Sequence, residues 1–139
     1  MGAALTRGVQ RHVMACVKHF ACNSIENARF QVNVSATQDV LANVYLPYFR
    51  RVVDQGVASV MSSYNSLNGQ WCGDHRGLLS ETLRHQWGFD GFVVSDFVYG
   101  LPDPVESVKA GLDRDALPTT AGAQSPGRPP LLSSLDAPS

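Results

Sequence analysis

The chain has 139 residues, 44% of them hydrophobic, and a formal net charge of −1. That content furnishes the core of one small domain and not of two, and the lack of any basic run argues against a nucleic-acid groove or a polybasic membrane patch. No apolar run approaches the roughly 20 residues of a membrane span, and no charged-then-apolar signal peptide opens the chain, so as written it is expected in the cytosol, whatever the location of a full-length parent.

Cys16, Cys22 and Cys72 are an odd number of cysteines, which predicts reduced thiols rather than a disulfide framework. The close spacing of His12, Cys16, His19 and Cys22 resembles paired zinc ligands. On a strand, however, positions 12, 16 and 22 share one side and His19 takes the other, so no metal site is expected.

Met1 to Gln10 carries Ala3, Ala4, Leu5 and Val9 and reads as a short helix. Val13 to Phe20, VMACVKHF, is apolar up to Lys18 and His19 and reads as a buried strand with a polar end. Ala21 to Ser35 is a long polar loop with Asn23, Glu26, Asn27 and Arg29, a length usually kept for function. From Gln38 to Gln55, Leu41, Val44, Tyr48, Phe49, Val52 and Val53 recur at helical spacing, with a kink or fresh start predicted at Pro47 and a stop at Gly56. Arg50 and Arg51 are assigned to its solvated face.

Val57 to Tyr64, VASVMSSY, is a second strand, followed by the polar Asn65, Ser66, Asn68 and Gly69. Leu79, Leu83 and Trp87 are four apart with Gly88 behind them, which predicts a second crossover helix from Leu78 to Trp87. Gly91 to Phe97, GFVVSDF, is a third apolar run that delivers one carboxylate, Asp96, at its far end. A parallel strand ending in this way places the carboxylate on the C-terminal rim of the sheet, where α/β folds put their chemistry; the alternative is that Asp96 starts a turn or caps a helix. Asp103, Pro104 and Glu106 supply an N-cap, a first-turn proline and a capping-box partner for a helix stopped by Gly111. The order is strand, helix three times over, with crossovers long enough for parallel strands. From Arg114 to Ser139 the composition turns to Pro, Ser, Gly and Ala without apolar period, and a disordered tail is expected.

KHF at 18–20, SVMSSYNSLNG at 59–69, LRHQWGFDGFVVSDF at 83–97 and AGLD at 110–113 stand in an order and spacing that resembles glycoside hydrolase family 3, which includes β-glucosidases and β-xylosidases. The resemblance covers residues 1–113. It implies an α/β fold, a partial (β/α)8 TIM barrel of about three consecutive βα units. It also implies that Asp96 is the catalytic nucleophile, with Phe97 in the aromatic place after it, where many members carry Trp. Lys18 and His19 correspond to the pair that hydrogen-bonds sugar hydroxyls, Arg29 to a residue ordering that loop, Tyr64 to the tyrosine beside the nucleophile, and Met61 to a residue lining the sugar site. The partner implied is a carbohydrate, a β-glucoside or β-xyloside, with no cofactor and no metal.

The chemistry asks for these types. A retaining glycosidase attacks the anomeric carbon with one carboxylate while a second carboxylic acid, about 5–5.5 Å away, protonates the leaving oxygen. Asp96 fills one role only. A protonated Lys18 nearby would favour its ionised form, Tyr64 could donate a hydrogen bond to it, and the aromatic at 97 offers a platform for a sugar face. KHF is followed by ACNSIENAR and not by the histidine-bearing loop of the branch that removes N-acetylglucosamine, so the β-glucosidase-like branch is favoured. In that branch the acid/base is usually a glutamate of a second domain, which this chain lacks, as it lacks the substrate-gripping aspartate and arginine of the upstream barrel. After AGLD the family's acidic-Met-Pro strand gives way to low complexity, which reads as a truncated or frameshifted frame. The leading expectation is thus a fragment that bears the nucleophile and is inactive alone. The alternatives are a noncatalytic sugar-binding or assembly module completed by another chain, and a remnant without a stable fold; the unpaired sheet edges also offer a route to self-association.

Overall fold

The computed structural model describes residues 1–97, 99–101 and 103–116. Three strands, β1 (Cys16–Phe20), β3 (Ser59–Ser62) and β6 (Phe92–Val94), form one parallel sheet in the order β1-β3-β6. Cys16 pairs with Ser59 and Val17 with Val60, while Ser59, Val60 and Met61 pair with Phe92, Val93 and Val94. All three strands therefore end on the same rim. The predicted order of strands and crossovers is the observed one, but each strand is shorter than its apolar run. Val13 and Met14 in particular are exposed and precede β1.

The remaining short strands form a second sheet that the sequence analysis does not contain. β2 (Asn33–Val34) lies parallel to β4 (Ser66–Leu67), which turns back antiparallel into β5 (Gln70–Trp71). The turn is Asn68-Gly69, both at positive φ (50° and 88°), the dipeptide that favours a tight hairpin. Asn68 also grips Ala36 through its amide and carbonyl oxygen, at 2.9 Å each way. Residues taken for a polar strand end and a long loop thus hold each other at the rim.

Helix α1 (Gly2–Val9) is present as expected. The 38–55 segment departs from simple periodicity. It begins as α2 (Gln38–Val40), passes through a π-type turn at Leu41–Tyr45, where Leu46 N donates to Leu41 O, and restarts as α3 (Pro47–Val53) at the predicted proline. The extra residue in that turn rotates the rest of the helix, so Leu46 joins Leu41, Phe49, Val52 and Val53 in the core. Val44 and Tyr48, expected inside, are 59% and 52% exposed. Arg50 lies on the surface of this helix and pairs with Asp54 at 2.7 Å.

A second π-type helix, Gly77–Gln86, buries Leu79 and Leu83 completely, and Trp87 packs edge-on against Phe20 at 5.8 Å between ring centroids. Phe20, Val60 and Val93, one from each strand of the parallel sheet, sit in the centre of the core. Helix α4 (Pro104–Ala110) has the predicted cap: Asp103 Oδ1 accepts from Val105 N and Glu106 N at 2.9 and 3.1 Å, and Gly111 closes the helix at φ 109°. Glu106 does not complete a capping box, because its carboxylate takes Lys109 Nζ at 2.9 Å instead.

Three residues past the expected boundary at Asp113 are described. Arg114 forms a parallel bridge to Val94, and Ser95 Oγ donates to Asp115 Oδ1 and accepts from Ala116 N. The rest of the tail lies outside the described residues. All three cysteines are free thiols, and no cluster of metal-ligating side chains and no helix long and apolar enough to cross a membrane occurs among the described residues.

Candidate active site

Asp96 stands two residues beyond β6, at the C-terminal rim of the sheet, and is 4% exposed. Local backbone holds it: Oδ1 accepts from Phe97 N at 2.8 Å, and its carbonyl accepts from Gly100 N at 3.2 Å. It starts a turn, as one reading of the sequence allows, but it caps no helix, since Asp103 caps α4. Its second oxygen, Oδ2, is left for the site.

His19 Nε2 lies 3.3 Å from that oxygen, bringing the end of β1 to the end of β6. Lys18, expected near Asp96, makes no ion pair with it within 4 Å among the described residues. Lys18 is exposed and faces a recess of about 220 Å³ shared with His19, Asn23 and Tyr48. A long, strongly hydrated ammonium keeps its head in water, whereas the shorter imidazole reaches the carboxylate across the rim.

Tyr64, just past β3, is 5% exposed. Its hydroxyl donates to Phe97 O, and a side-chain hydrogen bond with the Asp96 carboxylate is among the interactions that raise the pKa of its phenol. Burial, followed by the nearby charge of Asp96, pushes its phenol from 10.0 up to about 12. Tyr64 is therefore a neutral donor throughout the ordinary pH range. Met61 lies in β3 opposite Val94 and is buried, and Phe97 is 51% exposed at the mouth of the site.

Arg29 makes contacts within and beyond its loop. Its guanidinium lies 4.8 Å from the centroids of both Phe30 and Tyr64, and it is ion-paired to Glu26. Glu26 also accepts from Asn23 Nδ2 at 2.9 Å. The Asn23 hydrogen bond, followed by the charge and hydrogen bond of Arg29, holds the Glu26 carboxyl below its usual range. His19, Tyr64 and Phe97 thus stand next to Asp96, Arg29 packs on Tyr64, Met61 lies in the strand paired with β6, and Lys18 faces the neighbouring recess. The sequence reading missed Glu26, Trp71 and Tyr99. Trp71 follows the Asn68-Gly69 hairpin signal, but the placement of Tyr99 beside Phe30 has no local signature.

The arrangement is one buried carboxylate at a parallel-sheet rim, a ring nitrogen and a neutral phenol beside it, and an aromatic mouth. This is suited to nucleophilic attack on an electrophilic carbon in a polar ligand. Among known proteins, the model of the glycosyl hydrolase family 3 N terminal domain matches residues 1–117. The thermostable beta-glucosidase B of Acetivibrio thermocellus is 40% identical over 124 residues, covering 88% of this chain and 16% of the relative. A beta-glucosidase of Rhizobium radiobacter is 42% identical over 112 residues, 79% of this chain and 14% of the relative. In structure, beta-glucosidase 3B of Thermotoga neapolitana, solved with glycerol, is similar at a TM-score of 0.79 and 41% identity, over 82% of this chain and 16% of that one. DesR, a beta-glucosidase of Streptomyces venezuelae solved with D-glucose, is similar at 0.80 and 36% identity, over 91% and 16%. The chain thus spans about a sixth of the length of the relatives it matches, and it belongs to glycosyl hydrolase family 3.

Proposed function

We propose that the chain carries the nucleophile of a retaining β-glycosidase acting on terminal β-linked sugars, glucosides or xylosides, and that its three βα units are part of a (β/α)8 barrel. The observation that carries this reading is the buried carboxylate of Asp96 at the common rim of β1, β3 and β6, met at 3.3 Å by His19. One Asp96 oxygen attacks the anomeric carbon, the bond to the leaving oxygen breaks, and a glycosyl ester remains for water to hydrolyse. Tyr64 and His19 orient the attacking oxygen and the sugar, and Met61 and Phe97 flank the ring. The acid that protonates an ordinary leaving group is supplied from elsewhere in a longer protein or by another chain, so this chain alone turns over unactivated glycosides negligibly. β1 offers an edge for such a partner to extend the sheet.

The test removes the need for the acid. A dinitrophenyl deoxyfluoro-β-glucoside has a leaving group that departs without protonation, and its fluorine slows hydrolysis of the ester. Mass spectrometry of the treated chain is expected to find one fluoroglucosyl group on the peptide containing Asp96 and none in Asp96→Asn. Label on another residue, or none, would reject Asp96 as the nucleophile.

A further inference from the structure

The parallel sheet is open at both ends. β1 pairs with β3 on one side and with no described strand on the other. At the far end Arg114 bridges to Val94 of β6 in parallel: Ser95 N donates to Arg114 O at 2.9 Å and Arg114 N to Val93 O at 3.1 Å. That bridge marks a fourth strand position, so β1, β3, β6 and the Arg114 segment stand side by side and run the same way. A (β/α)8 barrel has eight such positions, and four are half of them.

The two faces of this sheet are not equivalent. Val17, Val60 and Val93 form one cross-strand row and pack with Phe49, Leu79 and Leu83 in the helix-covered core. Their neighbours along each strand point to the opposite face, where Cys16, Ser59 and Phe92 form one row and Met61 and Val94 another. Neither Met61 nor Val94 belongs to the helix-covered core. Cys16 is exposed, and Met14 just ahead of it is 73% exposed. In a closed barrel that second face is the interior, filled by layers of side chains that converge from strands on all sides. Half a ring leaves those layers one-sided.

We infer that two copies of this chain pair as half-barrels, the β1 edge of each against the Arg114 edge of the other, and so close an eight-stranded parallel barrel. The inference rests on the reading of the three βα units as part of a (β/α)8 barrel. A twofold axis along the barrel keeps every strand parallel and satisfies both open edges at once, so the assembly stops at two. Charge selects the same pairing. Residues 1–25 carry Arg7, Arg11 and Lys18 and no acidic residue, whereas residues 103–116 carry Asp103, Glu106, Asp113 and Asp115 against Lys109 and Arg114. Apposing β1 with β1 sets one basic segment against another, while the β1-to-Arg114 contact sets the basic segment against the acidic one. The two copies then share one C-terminal rim, with an Asp96 on each half.

Sedimentation velocity of the intact chain tests the pair. A closed pair predicts twice the 15.0 kDa mass of the chain, constant across micromolar concentrations. Cys16→Glu and Met14→Glu put a carboxylate into the interior of the closed barrel but into water on the single chain, so both are expected to shift the mass to that of one chain. Val44→Glu is the control. Val44 is 59% exposed on the crossover between β1 and β3, within one copy, and there the pair should survive. Circular dichroism verifies that all three variants keep the fold. A parent with the mass of one chain, a mass that climbs with concentration as an open row of copies grows, or a pair that survives both interior carboxylates overturns the inference. Labelling of Asp96 by the dinitrophenyl deoxyfluoro-β-glucoside is read on the same samples. A labelled single chain rejects the pair and leaves the nucleophile in place, whereas an unlabelled pair keeps the half-barrel and rejects the nucleophile.

Discussion

The imidazole of His19 and the carboxylate of Asp96, 77 positions apart in the chain, stand 3.3 Å from each other because β1 and β6 flank β3 with their C-terminal ends on one rim. Neither strand touches the other through backbone hydrogen bonds. Their side chains close the rim where the ladder does not.

That contact has a kinetic consequence. His19→Ala should slow labelling of Asp96 by about ten- to hundredfold, the worth of one charge-assisted hydrogen bond. Because the His19 side chain is only 29% exposed, His19→Gln serves as the second variant, and circular dichroism verifies that both keep the fold. An unchanged labelling rate would reduce His19 to a rim residue.

The buried weak acids define an alkaline limit. Burial raises the Cys22 thiol from 9.0 to about 11 and the Cys72 thiol to about 12, and Tyr64 rises from 10.0 to about 12. Above their ordinary values the unfolded chain releases protons that the native state still holds. Stability is thus fully present below about pH 9 and declines as pH rises towards about 12. Urea midpoints should be flat up to that lower bound and then fall, more shallowly in Cys72→Ala. A flat profile to pH 11 would contradict the burial of these groups.

Gly100 is the position where space is tightest at the site, since a Cβ there would run into the backbone of Asp96. Gly100→Ala should cost about 1–3 kcal/mol and displace the Asp96 turn, lowering both the urea midpoint and the labelling rate. Gly8→Ala is the control. Its Cβ would meet nothing within 4 Å inside helix α1, and a gain of about 0.5–1 kcal/mol is expected there. Equal effects at the two positions would contradict the close approach at Gly100.

His75 sets an acid limit of its own. Its Nδ1 accepts from Leu78 N at 3.1 Å at the start of the Gly77–Gln86 helix, and burial lowers its pKa below the ordinary 6.5. The neutral ring stabilises the native state, so this contribution is present above pH 6.5 and is lost as pH falls through that value towards the native pKa. His75→Asn keeps an acceptor but does not titrate. The stability difference between parent and variant should change between about pH 7 and 5, and a constant difference would remove His75 from the account.

The sequence by itself determined the features that local chemistry dictates. The three apolar runs became parallel strands because their β-branched residues suit a doubly covered sheet, Pro47 restarted its helix, and Asp103 and Gly111 bounded α4. The Asn68-Gly69 hairpin was legible too, since that dipeptide readily adopts positive φ, although it was read as a strand end. Tertiary structure alone decided the rest. The π-type turn after Val40 adds one residue to a helical turn, which sends Leu46 inward and Val44 outward against the simple period. Whether Lys18 or His19 meets Asp96, and that Phe30, Trp71 and Tyr99 share one recess, depends on where three separate rim loops come together. Those meetings are contacts between residues dozens of positions apart, and no periodicity or propensity along the chain encodes them. The engagement of Arg114 with Val94 belongs with them, because the open edge of β6 accepts another strand whatever the composition of that strand.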